Sequence, residues 1–575
     1  MLAALSFLDY TVIIVYLAGM ILLGWWLSRR QKSDEEYFLA GRGMPWFAVG
    51  VSVIASLLSS LTYLSEPGEV WNSGVTHVFG KMIAIPIEML IVFFICIPFM
   101  MRFRFTSAYE YLEHRFDYAT RLLGVGLFML MVVLWMGFVV LVSSKALARV
   151  AEVDVFYIIV TVGLIATIYT TLGGLRAVIW TDVIQVALLI GGGMFTIFFV
   201  MYTTGTWLPD WIAAASRHLV DPAVHQAATD AGQTPPHAVE FISFSPFTRV
   251  TVVTAAISMC VWHVCTHSAN QMTVQRYYST SDLKTARRSF VTASVFSVGL
   301  NLMLVAVGLA VLFYYYGDVD RDTTNVAVAA NGEPASPYKE LKNLNPSIKK
   351  ERDLIFTTFA VNRLPMGLGG AVLAALLAAA MSSIDSGINS IATVITVERK
   401  RNQKEGSQKS HVTQAKIITV VAGVFITGAA YALNFLPNDW GIIDSMPRTF
   451  NAVTGPIGGL FMIGIFVPKA TGRVAIMATM LGLLTSIMIG YYAIFAGNLV
   501  DAGFLSTEWL KSLGLATGEG KVRSLSPMLP LPCALAMTVG SAWILSWISA
   551  AQTKDLAGLT WYTRHEKSEL TSDWQ

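Results

Sequence analysis

The chain has 575 residues, of which 54% are hydrophobic and only 13% are charged, with a mean hydropathy of +0.58. A soluble domain carries roughly 25% charged residues, so this composition excludes a soluble globular protein and indicates a polytopic membrane protein. The formal net charge is only +3, and we expect neither a nucleic-acid partner nor an obligatory protein partner.

Thirteen apolar segments are long enough to span a bilayer, since a membrane helix needs about 20 apolar residues. Basic residues concentrate in alternate connecting segments, which the positive-inside rule places in the cytoplasm. This predicts a multi-pass protein of the plasma (inner) membrane, with its N-terminus outside and its C-terminus cytoplasmic. Long outer loops are expected at 204–247 and 317–363, the second with a short helix near 351–361. The expected spans are 8–28, 45–72, 78–101, 124–150, 155–174, 180–203, 250–272, 290–316, 366–397, 414–435, 449–468, 473–496 and 528–550.

The second span contains a helix-breaking signal. Residues Val51–Ser65 run directly into Glu66-Pro67-Gly68. Proline removes a backbone donor and glycine loosens a helix, so we expect a break near Thr62 to Gly68. Broken helices at membrane depth line cavities and mark ion and substrate sites in secondary transporters. The freed carbonyl groups near Ala55 and Leu58 are therefore candidate ion ligands, and a proline-kinked packing helix is the alternative.

Ionisable residues inside apolar spans are functional-site hypotheses by default. Lys81 lies in the third span close enough to its outer end to snorkel to the interface. Asp182 stands in the first turn of the sixth span, where a helix N-terminus favours a carboxylate. Asp182 is therefore either a capping residue or a cation ligand in the inner half of the membrane.

The seventh span has the richest polar face. Four residues at i, i+3, i+4 and i+7 share this face, namely His263, Thr266, His267 and Asn270. The motif lacks the acidic partner of an HExxH zinc site, so it predicts a polar substrate surface rather than a metal site. In the eleventh span, Asn451 opens a polar, proline-containing stretch that we expect to break the helix.

The ninth span begins as an apolar helix of alanine, leucine and glycine and turns polar halfway along. One helical stripe holds Ala379, Ser382, Ser383 and Ser386, with Asp385 on its flank. Carbonyl and hydroxyl oxygens suit a hard cation. Close packing of small residues is the alternative, but it does not account for the carboxylate.

Spans two to six and seven to eleven form two sets of five, and a repeat with an odd number of spans must be inverted in the membrane. We therefore predict an all-α polytopic membrane protein with a five-plus-five inverted-repeat transporter core and additional helices at both ends, in a single domain. Residues 45–203 form the first repeat and 247–468 the second. Residues 1–44 form a peripheral first helix and inner loop, and 469–575 form peripheral helices and a cytoplasmic tail.

Four segments resemble the sodium/solute symporter family, whose members carry sugars, iodide, monocarboxylates, vitamins, proline or sialic acid together with sodium. The resemblance runs roughly from Tyr10 to Lys469 and implies the five-plus-five inverted-repeat fold. The segments are FLAGRGM (Phe38–Met44), GGLRAVIWTDVIQ (Gly173–Gln185), NQMTVQRY (Asn270–Tyr277) and MSSIDSGINS (Met381–Ser390).

The resemblance also implies roles for individual residues. The principal sodium site would use the carbonyl groups of Ala55, Leu58 and Ala379 and the hydroxyl groups of Ser382 and Ser383. Some members bind a second sodium ion, and their pattern falls here on Asp182, Ser383, Asp385 and Ser386. The expected substrate-binding residues are Thr62, Tyr63, Lys81, His263, Thr266, His267, Asn270 and Asn451.

We therefore predict a sodium-coupled secondary active symporter that imports a small organic anion, such as a monocarboxylate, by alternating access. The segment Ser59–Val70 resembles the monocarboxylate, iodide and multivitamin branch, and lysines 81 and 145 suit an anionic solute. The expected partners are the solute, sodium ions and the lipid bilayer.

Other functions remain open at this stage. A sodium-coupled sugar or sialic acid symporter is the first alternative. A proton-coupled carrier that uses Asp182 or Asp385, a channel, and a transporter-like sensor belong to other classes. The sequence shows no nucleophile–base pair or phosphate loop that would suggest an enzyme.

Overall fold

The computed structural model describes residues 5–28, 33–103, 105–220, 240–316, 352–401, 408–435, 442–518, 520–549, 552, 554–566 and 570. Within these ranges the regular structure is helical, apart from isolated bridge residues, of which Ala516 and Val522 pair with each other. Helices suit a chain in lipid because they satisfy the backbone polar groups within each segment. The centres of the two long loops, 221–239 and 317–351, lie outside the described residues.

The first group of helices contains the first six predicted spans, which correspond to α1, the pair α3–α4, α5 with α6, α8, and the two arms of α9. A π-helical turn, Val92–Cys96, joins α5 to α6. The bounds are α1 (Phe7–Ser28), α2 (Asp34–Leu39), α3 (Trp46–Leu57), α4 (Ser60–Ser73), α5 (Thr76–Ile91), α6 (Ile97–Met100), α7 (Glu110–Arg115), α8 (Tyr118–Ala151), α9 (Val155–Thr204) and α10 (Leu208–Val220).

The second group contains the remaining seven predicted spans, which correspond to α11, α13, α15, α16, α18, α19 and α22. The short helix predicted near 351–361 is present as α14. The bounds are α11 (Val252–Ala269), α12 (Gln271–Tyr278), α13 (Leu283–Tyr316), α14 (Ile355–Arg363), α15 (Leu368–Arg401), α16 (Gln408–Leu433), α17 (Ile442–Ser445), α18 (Asn451–Phe466), α19 (Gly472–Gly490), α20 (Tyr492–Asp501), α21 (Thr507–Ser512) and α22 (Pro530–Ile548).

Among the described residues, 10 helices are long and apolar enough to cross a membrane, and the bent pair α3–α4 makes 11. Two features account for the difference from the thirteen predicted spans. Helix α9 extends over 50 residues across a kink and so contains both the fifth and the sixth predicted spans. Helix α18 has only 16 residues, which is shorter than a full crossing.

Helix α9 kinks at Gly174, where φ is 54° and ψ is −171°. This backbone conformation is open to glycine and strained for other residues. At about 1.5 Å per residue a helix of this length greatly exceeds the roughly 30 Å hydrocarbon core. The kink therefore separates two membrane arms that correspond to the predicted spans 155–174 and 180–203.

The second span is broken, but not where the sequence pattern predicted. Helices α3 and α4 meet at a bend of 64° at Leu58 and Ser59, so the break lies before the expected position near Thr62 to Gly68, and the expectation that Pro67 breaks the helix is wrong. The Ser59 hydroxyl accepts a hydrogen bond of 3.2 Å from the Leu61 amide and caps α4, which is a typical serine role. Pro67 lies inside α4 and packs against Gly308 of α13, where a side chain would collide with it.

Helix α15 lies at the centre of the protein, and 94% of the residues in its most apolar stretch are buried. It packs against α1, α8, α9 and α16. The small residues of its first half permit this close approach of neighbouring helices. Helix α1 is exposed on its outer side at Ile14 and Val15, as expected for a peripheral helix, while its other side contacts α9 and α15.

Helices α9 and α16 pack through two reciprocal glycine–threonine contacts. Gly163 of α9 faces Thr427 of α16, and Gly423 of α16 faces Thr167 of α9. Each threonine hydroxyl donates to the glycine carbonyl one turn earlier on its own helix, at 2.7 Å for Thr167 and 2.8 Å for Thr427. A side chain at either glycine would overlap the opposing threonine, so the contact requires glycine on both helices.

Candidate ion and substrate site

The hydroxyl groups of two serines on α15 meet the broken end of α3. Ser382 Oγ lies 3.0 Å from the Ala55 carbonyl oxygen and 3.1 Å from that of Ala379. Ser383 Oγ lies 3.3 Å from the Ser56 carbonyl oxygen and 3.4 Å from that of Ala379. All five residues are fully buried. The structure therefore brings four of the five residues predicted for the principal sodium site into direct contact.

The fifth residue, Leu58, forms the break itself. Its amide donates to the Ile54 carbonyl at 2.7 Å, and its own backbone is non-helical, with φ −87° and ψ 89°. The last four carbonyl groups of a helix lack intrahelical amide partners, which at the end of α3 includes those of Ala55 and Ser56. Ser56 was not predicted as a ligand, although its place in the last turn of α3 would have indicated it once the break was located.

The donor set at this junction fits a sodium ion. It consists of buried carbonyl and hydroxyl oxygens without a formal charge. Hard cations bind oxygen ligands, and unwound backbone carbonyls coordinate sodium in transporters with discontinuous helices. The contacts also join α3 to α15, so an ion bound there would link the two helices.

The residues of the predicted second sodium site are separated by a buried arginine. Arg276 Nη2 lies 3.1 Å from Asp182 Oδ2 and 2.5 Å from Ser386 Oγ. Arg276 Nε and Asp182 Oδ2 also bond Ser52 Oγ, at 2.7 Å and 2.5 Å. Arg276 and Asp182 are 1% and 0% exposed, so they form a buried ion pair. The guanidinium group already provides a positive charge beside Asp182.

Asp385 has a different partner. The Tyr169 hydroxyl donates to Asp385 Oδ2 at 2.7 Å, and Asp385 Oδ1 lies 3.4 Å from Ser386 Oγ. Ser383 is directed to the principal site instead. Sequence reasoning missed both Tyr169 and Arg276; the second lies in the NQMTVQRY segment, which contributed only to the family resemblance.

A cavity opens beside the α3–α4 break and contains four of the predicted substrate residues. Leu58 and Ser59 lie in its wall, so it adjoins the principal ion site. Trp262 Nε1 donates to Asn451 Oδ1 at 3.1 Å. The predicted residues that line it are Thr62, Lys81, His263 and Asn451, and the lining that was not predicted includes Glu66, His77, Trp135, Trp262, Asn301 and Phe450.

The other four predicted substrate residues do not line this cavity. Tyr63 is buried against Phe356. His267 bonds the Tyr277 hydroxyl through Nδ1 at 2.6 Å, and Thr266 is buried in α11. Asn270 caps α12 by accepting the Met272 amide at 3.0 Å. These four have structural partners or positions away from the cavity.

The charged groups of the cavity are paired. Lys81 Nζ bonds the Glu66 carboxylate and lies 3.2 Å from Asn301 Oδ1. His77 Nδ1 lies 3.4 Å from the other Glu66 oxygen. His263 Nε2 lies 3.5 Å from the buried Glu88 carboxylate. The cavity lining therefore contains charged groups without a large excess of either charge.

The cavity wall also contains aromatic side chains. Trp135 stacks on Phe450 with ring centres 5.2 Å apart and contacts the Trp262 ring at 6.2 Å. The cavity thus combines a broad aromatic surface with amide, hydroxyl, imidazole and ammonium groups.

Comparisons with known proteins agree with this architecture. The sequence profile described as "Sodium:solute symporter family" matches residues 37–482. The sodium/sialic acid symporter SiaT of Proteus mirabilis is 30% identical over 84% of this chain and 90% of its own. The corresponding protein NanT of Aliivibrio fischeri is 29% identical, covering 84% and 87%. Human sodium-coupled monocarboxylate transporter 1 is 29% identical, covering 80% and 69%.

Among solved structures, a Na+-coupled sialic acid symporter in a substrate-bound outward-open state is similar over 95% of this chain and 99% of its own. The TM-score is 0.72 and the sequence identity 28%. The description of that structure reports a novel Na+ site in that protein.

Proposed function

The chain belongs to the sodium:solute symporter family, and on that premise we propose that its solute is an acidic sugar of the sialic acid type, which it imports together with sodium. It is a multi-pass membrane protein and a sodium-coupled symporter. The relatives named sialic acid symporters favour the alternative in the sequence analysis over its main hypothesis of a simple monocarboxylate.

The chemistry of the cavity supports this choice. A sialic acid offers many hydroxyl groups, an amide and one carboxylate, so it needs several hydrogen-bonding partners and a flat apolar surface. Asn451, Asn301 and Thr62 supply hydrogen-bonding groups, and Trp135 and Trp262 supply the aromatic surface. A solute as small as lactate could contact only a few of these groups at once, whereas a sialic acid can contact several of them.

Coupling follows from the shared wall between the ion site and the cavity. A sodium ion held by the carbonyl groups of Ala55, Leu58 and Ala379 and the hydroxyl groups of Ser382 and Ser383 would fix the end of α3 against α15. Leu58 also lines the cavity, so the ion would stabilise the substrate-competent arrangement. A ligand shifts an equilibrium only by its differential affinity for the two states. An inward electrical gradient adds about 2.3 kcal/mol per charge per 100 mV.

A second sodium ion at Asp182, Ser383, Asp385 and Ser386 stays a prediction. In the observed arrangement the Arg276 side chain bridges Asp182 and Ser386, so binding there would require this side chain to move. Placement of the N-terminus outside and the C-terminus in the cytoplasm is likewise part of the proposal and rests on the distribution of basic residues.

Uptake by proteoliposomes tests the proposed solute. Purified protein with an inward sodium gradient should accumulate labelled N-acetylneuraminate, and replacement of sodium by choline at fixed pH should abolish the accumulation. Excess unlabelled N-acetylneuraminate should compete, whereas lactate, pyruvate and glucose should not.

Two outcomes would overturn the assignment. Sodium-driven uptake of lactate or pyruvate without uptake of N-acetylneuraminate would restore the monocarboxylate hypothesis. Accumulation that follows an imposed proton gradient in the absence of sodium would contradict the coupling ion.

A further inference from the structure

A basic groove lies beside the first residues of two membrane helices, α3 and α13, and a turn of the span formed by α5 and α6. Trp46 is the first residue of α3, Leu283 is the first residue of α13, and Phe93 lies in the π-helical turn after α5. The groove has a volume of about 660 Å³, and its walls include Trp46, Phe93, Lys284, Arg287, Arg288 and Val291. It is separate from the ion site and from the substrate cavity, whose linings share no residue with it.

Three cations in the first two turns of α13 dominate the groove. Lys284 and Arg288 are exposed, and neither forms an ion pair within the described residues. Cations at a helix N-terminus oppose the helix dipole, so these positions do not serve the stability of α13 itself. No carboxylate lies among the described residues that line the groove.

The carboxylate closest in sequence, Asp282, is engaged in capping. Its Oδ1 accepts the Thr285 amide at 2.8 Å, and its Oδ2 accepts the Ser281 hydroxyl at 2.7 Å. These hydrogen bonds, from Ser281 and then Thr285, lower the pKa of Asp282. Asp282 therefore acts as the helix cap and is ionised at neutral pH.

The groove has a fixed shape. Arg287 Nε donates to the Phe93 carbonyl at 3.1 Å, and its guanidinium group lies 4.8 Å from the centre of the Phe93 ring. Below it, Gly50 of α3 packs so closely on Ser289 and Thr292 of α13 that a side chain would collide with both. The two helices are thus held together directly under the cationic groups.

Apolar surface adjoins the cations. Trp46 is 43% exposed and Val291 is 36% exposed. Tryptophan is enriched at the interface between membrane and water, which agrees with the position of Trp46 at the start of a membrane helix. The groove therefore presents positive charge at the level of the headgroups and apolar side chains toward the acyl chains.

We propose that this groove binds an anionic phospholipid, with its phosphate between Lys284 and Arg288 and an acyl chain along Val291 and Trp46. Basic pockets between membrane helices bind anionic headgroups, and the charge of this groove is complementary to such a headgroup. A free phosphate ion would use the cations but would gain nothing from the apolar wall.

Native mass spectrometry of the full chain in detergent tests the site. We expect wild-type protein to bind dioleoyl phosphatidylglycerol more tightly than dioleoyl phosphatidylcholine. The double variant Lys284→Gln/Arg288→Gln should bind phosphatidylglycerol roughly thirtyfold more weakly, since each basic residue near a membrane surface contributes about 1 kcal/mol. Arg287 is left unchanged because it also holds Phe93 in place.

Two matched variants separate the site from a general charge effect. Lys284→Arg/Arg288→Lys keeps both charges and should retain binding. Lys511→Gln/Lys521→Gln removes two charges from the region of α21 and should also retain it. Equal affinity of wild type and Lys284→Gln/Arg288→Gln for phosphatidylglycerol would overturn the proposal. So would phosphatidylcholine binding as tight as phosphatidylglycerol, or inorganic phosphate stabilising the protein against heat as effectively as phosphatidylglycerol.

Discussion

Asp9 Oδ1 accepts a hydrogen bond of 2.6 Å from the backbone amide of Gly370, and a second of 2.9 Å from the amide of Gly367. The first helix thereby caps the start of α15, the helix that carries Ser382 and Ser383. Asp9 lies outside the region that the family profile matches, residues 37–482. A helix that looked merely peripheral in sequence thus holds the central helix in place.

Loss of this cap should destabilise the protein. We expect Asp9→Ala to lower the free energy of unfolding by about 1 kcal/mol, the usual cost of removing a capping acceptor. Asp9→Asn keeps one acceptor oxygen and should cost less. Thermal unfolding in detergent measures both, with Thr11→Ala on the same helix as the control. An Asp9→Ala variant that unfolds at the wild-type temperature would show that the cap is dispensable.

The serine hydroxyls at the α3–α15 junction should determine sodium affinity. We expect Ser382→Ala and Ser383→Ala each to raise the half-saturating sodium concentration about tenfold, because one buried oxygen ligand is lost, while maximal uptake changes less. A tenfold change corresponds to about 1.4 kcal/mol. The matched control is Ser390→Ala. Ser390 lies on α15 like the two serines, and its buried hydroxyl is bonded to Gln275 of α12. Unchanged sodium dependence in both serine variants would place the ion elsewhere.

Neighbouring residues of α4 offer a clean test of the substrate cavity. Thr62 lines the cavity, whereas Tyr63 is buried away from it and its hydroxyl has no hydrogen-bond partner among the described residues. Thr62→Ala should raise the half-saturating solute concentration about threefold to tenfold, in line with the loss of one hydrogen bond. Tyr63→Phe should leave solute affinity unchanged. The opposite pattern in transport assays would mean that α4 presents its other face to the solute.

The buried pair Arg276–Asp182 should be costly to break from one side only. Arg276→Gln leaves an uncompensated carboxylate in the core, and such a change costs about 3–5 kcal/mol. The double variant Asp182→Asn/Arg276→Gln removes both charges and should recover part of that loss. Thermal unfolding of Arg276→Gln, Asp182→Asn and the double variant yields the coupling energy. Additive effects would mean that the two side chains do not interact.

Acid should weaken an ionic network that joins α7, α8 and α15. Glu113 pairs with Arg121 at 2.8 Å and with Arg401 at 2.7 Å. Although burial alone would raise the pKa of Glu113, hydrogen bonds from Arg401 and the charge of Arg121 lower it overall. A lowered folded-state pKa stabilises the fold above the unfolded-state pKa, and this stabilisation is lost as the pH falls through the folded value.

We therefore expect the wild-type unfolding temperature to fall as the pH drops below the ordinary glutamate range. Glu113→Gln should start lower at neutral pH and show a shallower decline, as followed by fluorimetry across a pH series. Parallel acid profiles for the two proteins would show that Glu113 does not contribute.

The sequence predicted the membrane helices and the paired serines because both depend on local pattern. Hydropathy identifies apolar segments of sufficient length, and helical spacing places Ser382 and Ser383 on one stripe. The sequence pattern did not locate the break in the second span, because Pro67 is a stronger helix breaker than the residues Leu58 and Ser59 at which the break occurs. In the fold, Ser59 caps a new helix and Pro67 fits against a glycine of α13.

Residues whose partners come from distant segments were harder to predict. His263 and His267 share one helix face, yet His267 bonds Tyr277 from the following short helix and never reaches the cavity. Arg276 was not assigned a role from the sequence, and Asp182, with which it forms a buried ion pair, lies on another helix. Such pairs depend on tertiary packing, which helical periodicity within one segment does not report.

The reciprocal contact between Gly163 and Thr427 and between Gly423 and Thr167 has a geometric meaning. The lower-numbered residue on one helix meets the higher-numbered residue on the other, so the helices run in opposite directions. Two patches of the same kind that contact each other symmetrically indicate a local two-fold axis. Gly163 and Thr167 lie in the first arm of α9, which is the fourth span of the first set of five, and α16 is the fourth span of the second set. This axis therefore relates one half of the transporter core to the other. The glycine–threonine contact therefore lies where this axis passes between the two halves.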